Sequence, residues 1–310
     1  MQAHSLSFLF ALPSALVLAM GLTLGFISTQ DAHAVDLQPN DIVAPPPDIT
    51  AFTLTYYSTQ NTTYYSNGTA LSKGPYANPV INTNSAIARI SHTYSLAGLP
   101  GVSYVQLPYG TAWQGGSLAS YPASTGIGDT ALATALWPYS NHETRTYLGL
   151  AAYLGLPTGT YKSSQAFNLG QNRYYSDVQM GFQTPLVGKV DGAIAVDTMF
   201  YGGNSQCAAA CFSPTNVALN QKPLTTTQMG PIYNINQTFT VAANYIYVAG
   251  GAQSVNNVYQ NNVINTQRYL LSAVARTPYG RFTMQYGRDM EVKNGFMQTE
   301  LLALRYHYAF

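Results

Sequence analysis

The side chains able to do covalent or acid–base chemistry are few in this chain and poorly grouped. Ser91-His92 sets a nucleophile beside a base, the pair that a lipid hydrolase would carry on the outer face of a membrane-embedded sheet. His92 shares its strand parity with Ile90 and Tyr94. Such an enzyme also needs a polar residue to orient the histidine and a donor for the oxyanion, and nothing near His92 supplies either. His142-Glu143 falls in a short turn and lacks the second histidine of a metal-binding helix motif. Cys207 and Cys211, separated by three alanines, have no nearby His pair and make a poor zinc site. In an exported chain they are expected to close a small disulfide loop, with two free thiols as the alternative. No Gly-rich phosphate loop follows a strand. The residues therefore suggest no catalytic, cofactor-binding or metal site.

The remaining polar side chains carry a clearer pattern. Charged residues make up only 8% of the 310 residues, against roughly 25% in a soluble domain, while Tyr alone occurs 25 times. A net charge of +1 leaves no footprint for nucleic acid. Within apolar-alternating segments, nearly every charge falls on the face opposite the apolar one. These residues are Arg89, Asp129, Arg145, Arg173, Asp177, Asp191, Asp197, Arg268, Arg276, Arg281, Asp289 and Arg305, with Gln179, Gln183 and Gln285 between them. A charge on the lipid face at mid-membrane costs about 2–4 kcal/mol, which would force this partition in a transmembrane barrel. Two readings of the charged face stand side by side: a ring that sets solute selectivity, or opposite charges that brace the wall.

The elements that would position these residues are about ten residues long, the length a tilted strand needs to cross a bilayer. Twelve such segments lie near 49–58, 85–95, 102–112, 126–138, 145–156, 173–185, 189–201, 225–234, 237–249, 266–277, 280–291 and 296–310. Leu148, Leu150, Ala152 and Leu154 share one face; so do Val241, Ala243, Tyr245 and Tyr247, and so do Phe282, Met284 and Tyr286. Connections after odd segments are long and polar, and those after even segments are tight, as at Ala97-Gly98-Leu99-Pro100 and Pro278-Tyr279-Gly280. The eleventh, Val292 to Gly295, is short where a long one is expected. The eighth segment is the weakest, because Gly230-Pro231 interrupts it. This alternation fits a closed antiparallel β-barrel of about twelve strands over residues 49–310, both ends periplasmic, apolar outside and uncharged-polar inside.

The ends agree with export. Phe8 to Ile27 is mostly apolar and Ala32-His33-Ala34 offers a small-residue cleavage site, so 1–34 is expected to be a signal peptide, although Met1 to Phe10 contains no Lys or Arg. Pro39 and Pro45-Pro46-Pro47 make 35–48 a stiff periplasmic tail, one that could also obstruct the barrel. The chain closes Leu304-Arg305-Tyr306-His307-Tyr308-Ala309-Phe310, and Phe310 resembles the terminal aromatic read by the barrel-insertion machinery.

Four stretches add a family resemblance. They are Ile42-Val43-Ala44-Pro45-Pro46-Pro47-Asp48 followed by Tyr64-Tyr65-Ser66-Asn67-Gly68; Gly126-Ile127-Gly128-Asp129; Gly155-Leu156-Pro157-Thr158-Gly159; and the aromatic C-terminus. Together they resemble the outer-membrane family named for the meta-pathway of phenol degradation. The resemblance implies a barrel in the bacterial outer membrane, contacting its lipid, and passive uptake of small aromatic or hydrophobic solutes, with no cofactor. A structural or adhesive barrel without a conducted solute is the alternative, and an outer-membrane lipid hydrolase a more distant one.

Strand direction then assigns depth. Arg145 and Arg281 begin odd strands while Arg276 and Arg305 end even ones, so all four are expected at the periplasmic mouth with His307, offset by Asp191. Asp129, Asp177, Asp197 and Asp289 are expected in the outer half, with Arg89, Arg173 and Arg268. Such a field would draw anions inward. Replacing Arg276, Arg281 and Arg305 together with Gln should lower anion preference, read as the reversal potential across a salt gradient. An unchanged potential in a folded, conducting variant would leave these arginines as wall braces only.

Overall fold

The computed structural model describes residues 37–310; the expected leader and its cleavage site after Ala34 lie outside the described residues. Among the described residues no helix is long and apolar enough to cross a membrane, and the chain crosses with strands instead. Twelve form the wall: β1 (Thr50–Ser66), β2 (Pro79–Leu96), β3 (Leu99–Gly116), β4 (Thr130–Asn141), β5 (Thr146–Leu156), β6 (Tyr175–Val187), β7 (Val190–Tyr201), β8 (Leu224–Asn234), β9 (Phe239–Gly250), β10 (Ile264–Thr277), β11 (Gly280–Val292) and β12 (Gly295–Ala309). Each pairs antiparallel with its sequence neighbour, and β12 pairs with β1 from Ala51 opposite Ala309 to Tyr65 opposite Gly295. That last ladder removes both edges of the sheet, which hydrocarbon could not satisfy.

The period-2 pattern sorts side chains as the membrane demands. Leu150, Leu154, Val241, Phe282 and Met284 face outward and are exposed, whereas Thr240, Thr283, Gln285 and Asp289 between them are buried inside. The interior is not uniformly polar, however. Leu224, Ile246, Val248, Leu270, Leu301 and Ala303 form a buried apolar cluster on the lumen side. They alternate with outward residues like their polar neighbours, so parity places them inside even though their type suits either face.

Short turns gather at one end, the periplasmic one by the architecture of such barrels. The β2–β3 turn uses Ala97 at φ 51° and Gly98 at φ 82°, the left-handed pair that suits a two-residue hairpin. At the other end β2 and β3 each reach 18 residues, extending as a hairpin beyond the expected 85–95 and 102–112. The 202–223 and 251–263 connections contribute a separate four-stranded sheet of Asn204–Cys207, Val217–Gln221, Gln253–Val255 and Val258–Tyr259. Cys207 and Cys211 are joined by a disulfide at its margin.

Strand β8 forms despite Gly230-Pro231. It keeps an unbroken ladder to β7, and its pairing with β9 skips only those two positions without a change of register. The glycine is what permits this, since a Cβ at 230 would lie 1.9 Å from the carbonyl oxygen of Ala243. Gly230→Val should therefore force β8 off β9, at a cost of about 1–3 kcal/mol or more. The check is the temperature at which the folded, fast-migrating band is lost on gel electrophoresis, and an unchanged temperature would show that β9 can move aside.

Candidate functional site in the barrel lumen

Leu37–Asp48 does not trail away from the barrel but lies inside its periplasmic half. Having no regular pairing partner, this segment satisfies its backbone and side chains on the wall. The Leu37 N–H donates to Gln228 Oε1 (3.0 Å), and Gln228 Nε2 donates back to the Leu37 carbonyl (2.9 Å). Gln38 bonds Gln285, and Asn40 Oδ1 accepts from Gln183 Nε2 (2.9 Å). Trp137 Nε1 donates to the Ile42 carbonyl (2.7 Å), and Ile42, Ala44, Trp137 and Tyr147 form a buried cluster. Gly181 makes the room: a Cβ there would come within 3.1 Å of the Ile42 side chain.

Asp41 is the electrostatic centre of this seat. Its two oxygens meet Arg281 (3.1 Å) and Arg305 (3.3 Å), and Arg305 Nε also donates to Thr55 Oγ1 (3.2 Å). Burial pushes the Asp41 carboxyl up, but the Arg281 and Arg305 guanidinium groups outweigh it and hold the group below the usual carboxylate range. A carboxyl with a lowered pKa keeps its contribution above its unfolded pKa and loses it as pH falls through the folded one. The attachment therefore persists through neutral and mildly acidic pH. Beside Asp41 lies a cavity of about 330 Å³, near the lower end of the ~300–1,000 Å³ typical of small-molecule sites. Arg89, Arg281, Arg305, Tyr104, Tyr153 and Trp137 are among its lining residues.

The other expected lumen residues take distinct positions. Arg145 donates to the Gly188 carbonyl (2.8 Å) and pairs with Asp191 (3.3 Å), which also accepts from Asn234. Arg276 donates to Thr240 Oγ1 (2.9 Å). Gln179 accepts from the Tyr153 hydroxyl (2.9 Å) inside the cavity wall. Higher in the barrel, Arg268 and Asp289 form a buried pair at 2.8 Å, and Asp177 and Asp197 are buried on adjacent strands. Arg173 is buried beneath the outer loops, over the Tyr201 ring and bonded to Gln171 and Gln221.

One depth assignment differs from the sequence reading. Arg89 belongs to the periplasmic cluster, not the outer half: Thr53 sits opposite both Arg89 and His307 in the register. Strand β2 extends outward to Pro79, so Arg89 falls nearer its inner end. Its guanidinium lies over the Tyr104 ring (4.1 Å) and donates to Gln106 Oε1 (2.9 Å).

Asp129 has a local role. Its carboxylate accepts the backbone N–H of Gly159 (2.9 Å) and of Gln171 (2.8 Å), while Thr158 Oγ1 accepts from the Thr130 N–H (2.9 Å). The Gly126–Asp129 and Gly155–Gly159 stretches thus interlock and fold the 157–174 loop over the outer mouth. Ser91 and His92, adjacent in β2, point to opposite faces; Ser91 lines the cavity and His92 faces out, bonded to Thr50 (3.0 Å).

The family model described as "MetA-pathway of phenol degradation" matches residues 60–306. Among solved structures, an outer membrane channel from Pseudomonas putida F1 is similar at 26% identity and TM-score 0.82, covering 89% of this chain and 100% of that one. The β-domain of the Bordetella autotransporter BrkA (11% identity, TM-score 0.49, 85% of this chain and 100% of that one) is a more distant likeness. So is the monoaromatic hydrocarbon channel TodX (10% identity, TM-score 0.47, 86% and 91%). No curated protein matches the chain.

Replacing Asp129 with Ala strands two inward amides, each worth about 1–3 kcal/mol when left unpaired. The 157–174 loop should then open while the barrel stays folded. Trypsin added to intact cells should cut at Lys162 several-fold faster than in the parent protein; equal rates would mean the loop is held elsewhere.

Proposed function

The chain belongs to this phenol-degradation family of outer-membrane channels, and from that premise we propose how it handles its solute: small aromatic or hydrophobic molecules pass through the lumen, and Leu37–Asp48 closes its periplasmic half between passages. The observation that carries this reading is the seat of the segment. Its inward contacts run almost wholly through side chains of the wall, leaving its own backbone outside any ladder, so it can leave without breaking a strand pair. The outer-half cluster around Leu270 and Ile246 is fully buried, so an apolar solute passes only as these side chains part, before it meets the aromatic cavity beside Asp41.

The remaining parts of the reading follow from exposed features. The outward band meets outer-membrane lipid, and the exposed Phe310, whose N–H donates to the Thr50 carbonyl (2.8 Å), is the residue offered to the insertion machinery. The charged residues set the order of contacts along the path, with the Arg268–Asp289 pair bracing the outer wall and the periplasmic arginines meeting the solute. No catalytic step is assigned: Ser91 and His92 are on opposite faces, so neither can activate the other.

Two variants test closure. Deleting residues 37–48 removes the segment, and Gly181→Leu fills the space that Ile42 occupies. Both should raise the open fraction in planar bilayers about tenfold or more, since a contact to a charged group is worth about 1.5–3 kcal/mol and several are lost together. Conductance equal to that of the parent protein in both would remove the segment from the gating role.

A further inference from the structure

The cavity beside Asp41 is unbalanced in charge. Three arginines, Arg89, Arg281 and Arg305, line it, and Asp41 is the sole acidic residue among its described lining. Arg89 has no carboxylate partner among the described residues, being held by a ring face and an amide oxygen. The Arg281 Nε is buried and has no hydrogen-bond partner there. The single neutralising group is not part of the wall: it is carried in by the segment that closes the barrel. Aromatic faces stand next to these donors, since Tyr104 and Tyr153 meet edge to face at 6.3 Å and Trp137 lies against Ile42.

We propose that Arg281, Arg305 and Arg89 form a binding site for the carboxylate of an aromatic acid, and that Asp41 occupies it as a tethered stand-in until such a solute displaces it. The proposal rests on the channel reading above and names its solute class. A guanidinium fork recognises a carboxylate through two parallel N–H···O bonds, and Asp41 spreads its two oxygens over two arginines instead. An incoming benzoate-like acid replaces those contacts, adds one to the unpaired Arg281 Nε or to Arg89, and lays its ring against Tyr104 and Tyr153. The exchange keeps one carboxylate against Arg281 and Arg305 throughout, so neither state leaves this pair without a counter-charge. A neutral aromatic of the same size can fill the cavity but cannot replace Asp41. The solute that opens the channel is then the one the channel carries.

The test uses the full mature protein in detergent and in planar bilayers, with benzoate, benzyl alcohol and acetate as probes. The chain has two tryptophans, so Trp113→Phe leaves Trp137, bonded to the Ile42 carbonyl, as the reporter of the seat. Benzoate should give a saturable change in Trp137 fluorescence and a rise in open probability, benzyl alcohol neither, and acetate only a weaker response at higher concentration. The near-isosteric Asp41→Asn variant should bind benzoate about tenfold more tightly, because a site closed most of the time by its own tether pays that fraction in apparent affinity. Arg281→Gln with Arg305→Gln should abolish the benzoate response. Equal responses to benzoate and benzyl alcohol in the unsubstituted protein, or no gain in affinity in Asp41→Asn, would overturn the proposal. Conduction by the 37–48 deletion separates the two readings: if it conducts and benzoate still has no special effect, the channel reading stands and this site fails; if it never conducts, closure by the segment fails first.

Discussion

Hydrocarbon offers no partner to a backbone N–H or C=O, and the rest of this structure follows from satisfying that constraint. The β1–β12 ladder closes the sheet, closure fixes an inside and an outside, and a two-residue period then sends every second side chain into the lumen. A charge on the lipid face is costly, so most lie inside, where strand direction decides their depth. Arginines near the starts of β5 and β11 and the ends of β10 and β12 all arrive at the periplasmic end. The wall itself supplies too few carboxylates there: Asp191 is committed to Arg145, and nothing else on the strands answers Arg281 or Arg305. Asp41 meets this need from outside the sheet. Closure of the barrel and closure of its mouth are in this sense one chain of consequences.

The twelve strands were legible in the sequence because period 2 and turn chemistry are local signals that repeat. Leu150 and Leu154, or Phe282 and Met284, announce an outward face without reference to the rest of the chain. Depth was less legible, as Arg89 shows. A strand that continues above the membrane carries the same alternation as one that stops at it, so the extra residues from Pro79 to Asn84 shifted the estimate of where Arg89 lies. The apolar lumen cluster was hidden for a related reason, since Leu270 and Ile246 have types that fit either side and only parity separates them.

The seat of the amino-terminal segment was the least legible part. Leu37–Asp48 has no periodicity, and its prolines exclude both helix and central strand, which pointed to a stiff periplasmic tail, with obstruction of the barrel as a second reading. The informative signal was present but non-local: an excess of inward arginines at one end of the barrel, and one acid, with Gln38 and Asn40 beside it, immediately before the first strand. The two Gly-rich stretches behave the same way. Each reads as a generic turn, and their joint purpose is visible only when Asp129 is seen holding the amides of Gly159 and Gln171.

The division of the lumen into an apolar outer part and a cationic, aromatic inner part has a consequence for what can cross it. The apolar cluster is packed shut, so a molecule enters only by parting its side chains, and one held by apolar contact alone would be trapped if the cluster continued to the periplasm. A charged seat alone would admit small inorganic anions as readily as any organic acid. Placed in series, the two levels favour molecules with a ring and an acidic group, the ring suited to parting the first and the carboxylate to competing at the second. The Arg268–Asp289 pair, 2.8 Å apart, is neutral overall, and the buried Asp129, Asp177 and Asp197 outnumber Arg173 at the outer level, so the net positive potential is confined to the inner cavity. Attraction then rises along the path toward Asp41, and a solute able to compete for its arginines meets the barrier at the point where it has most to gain by moving it.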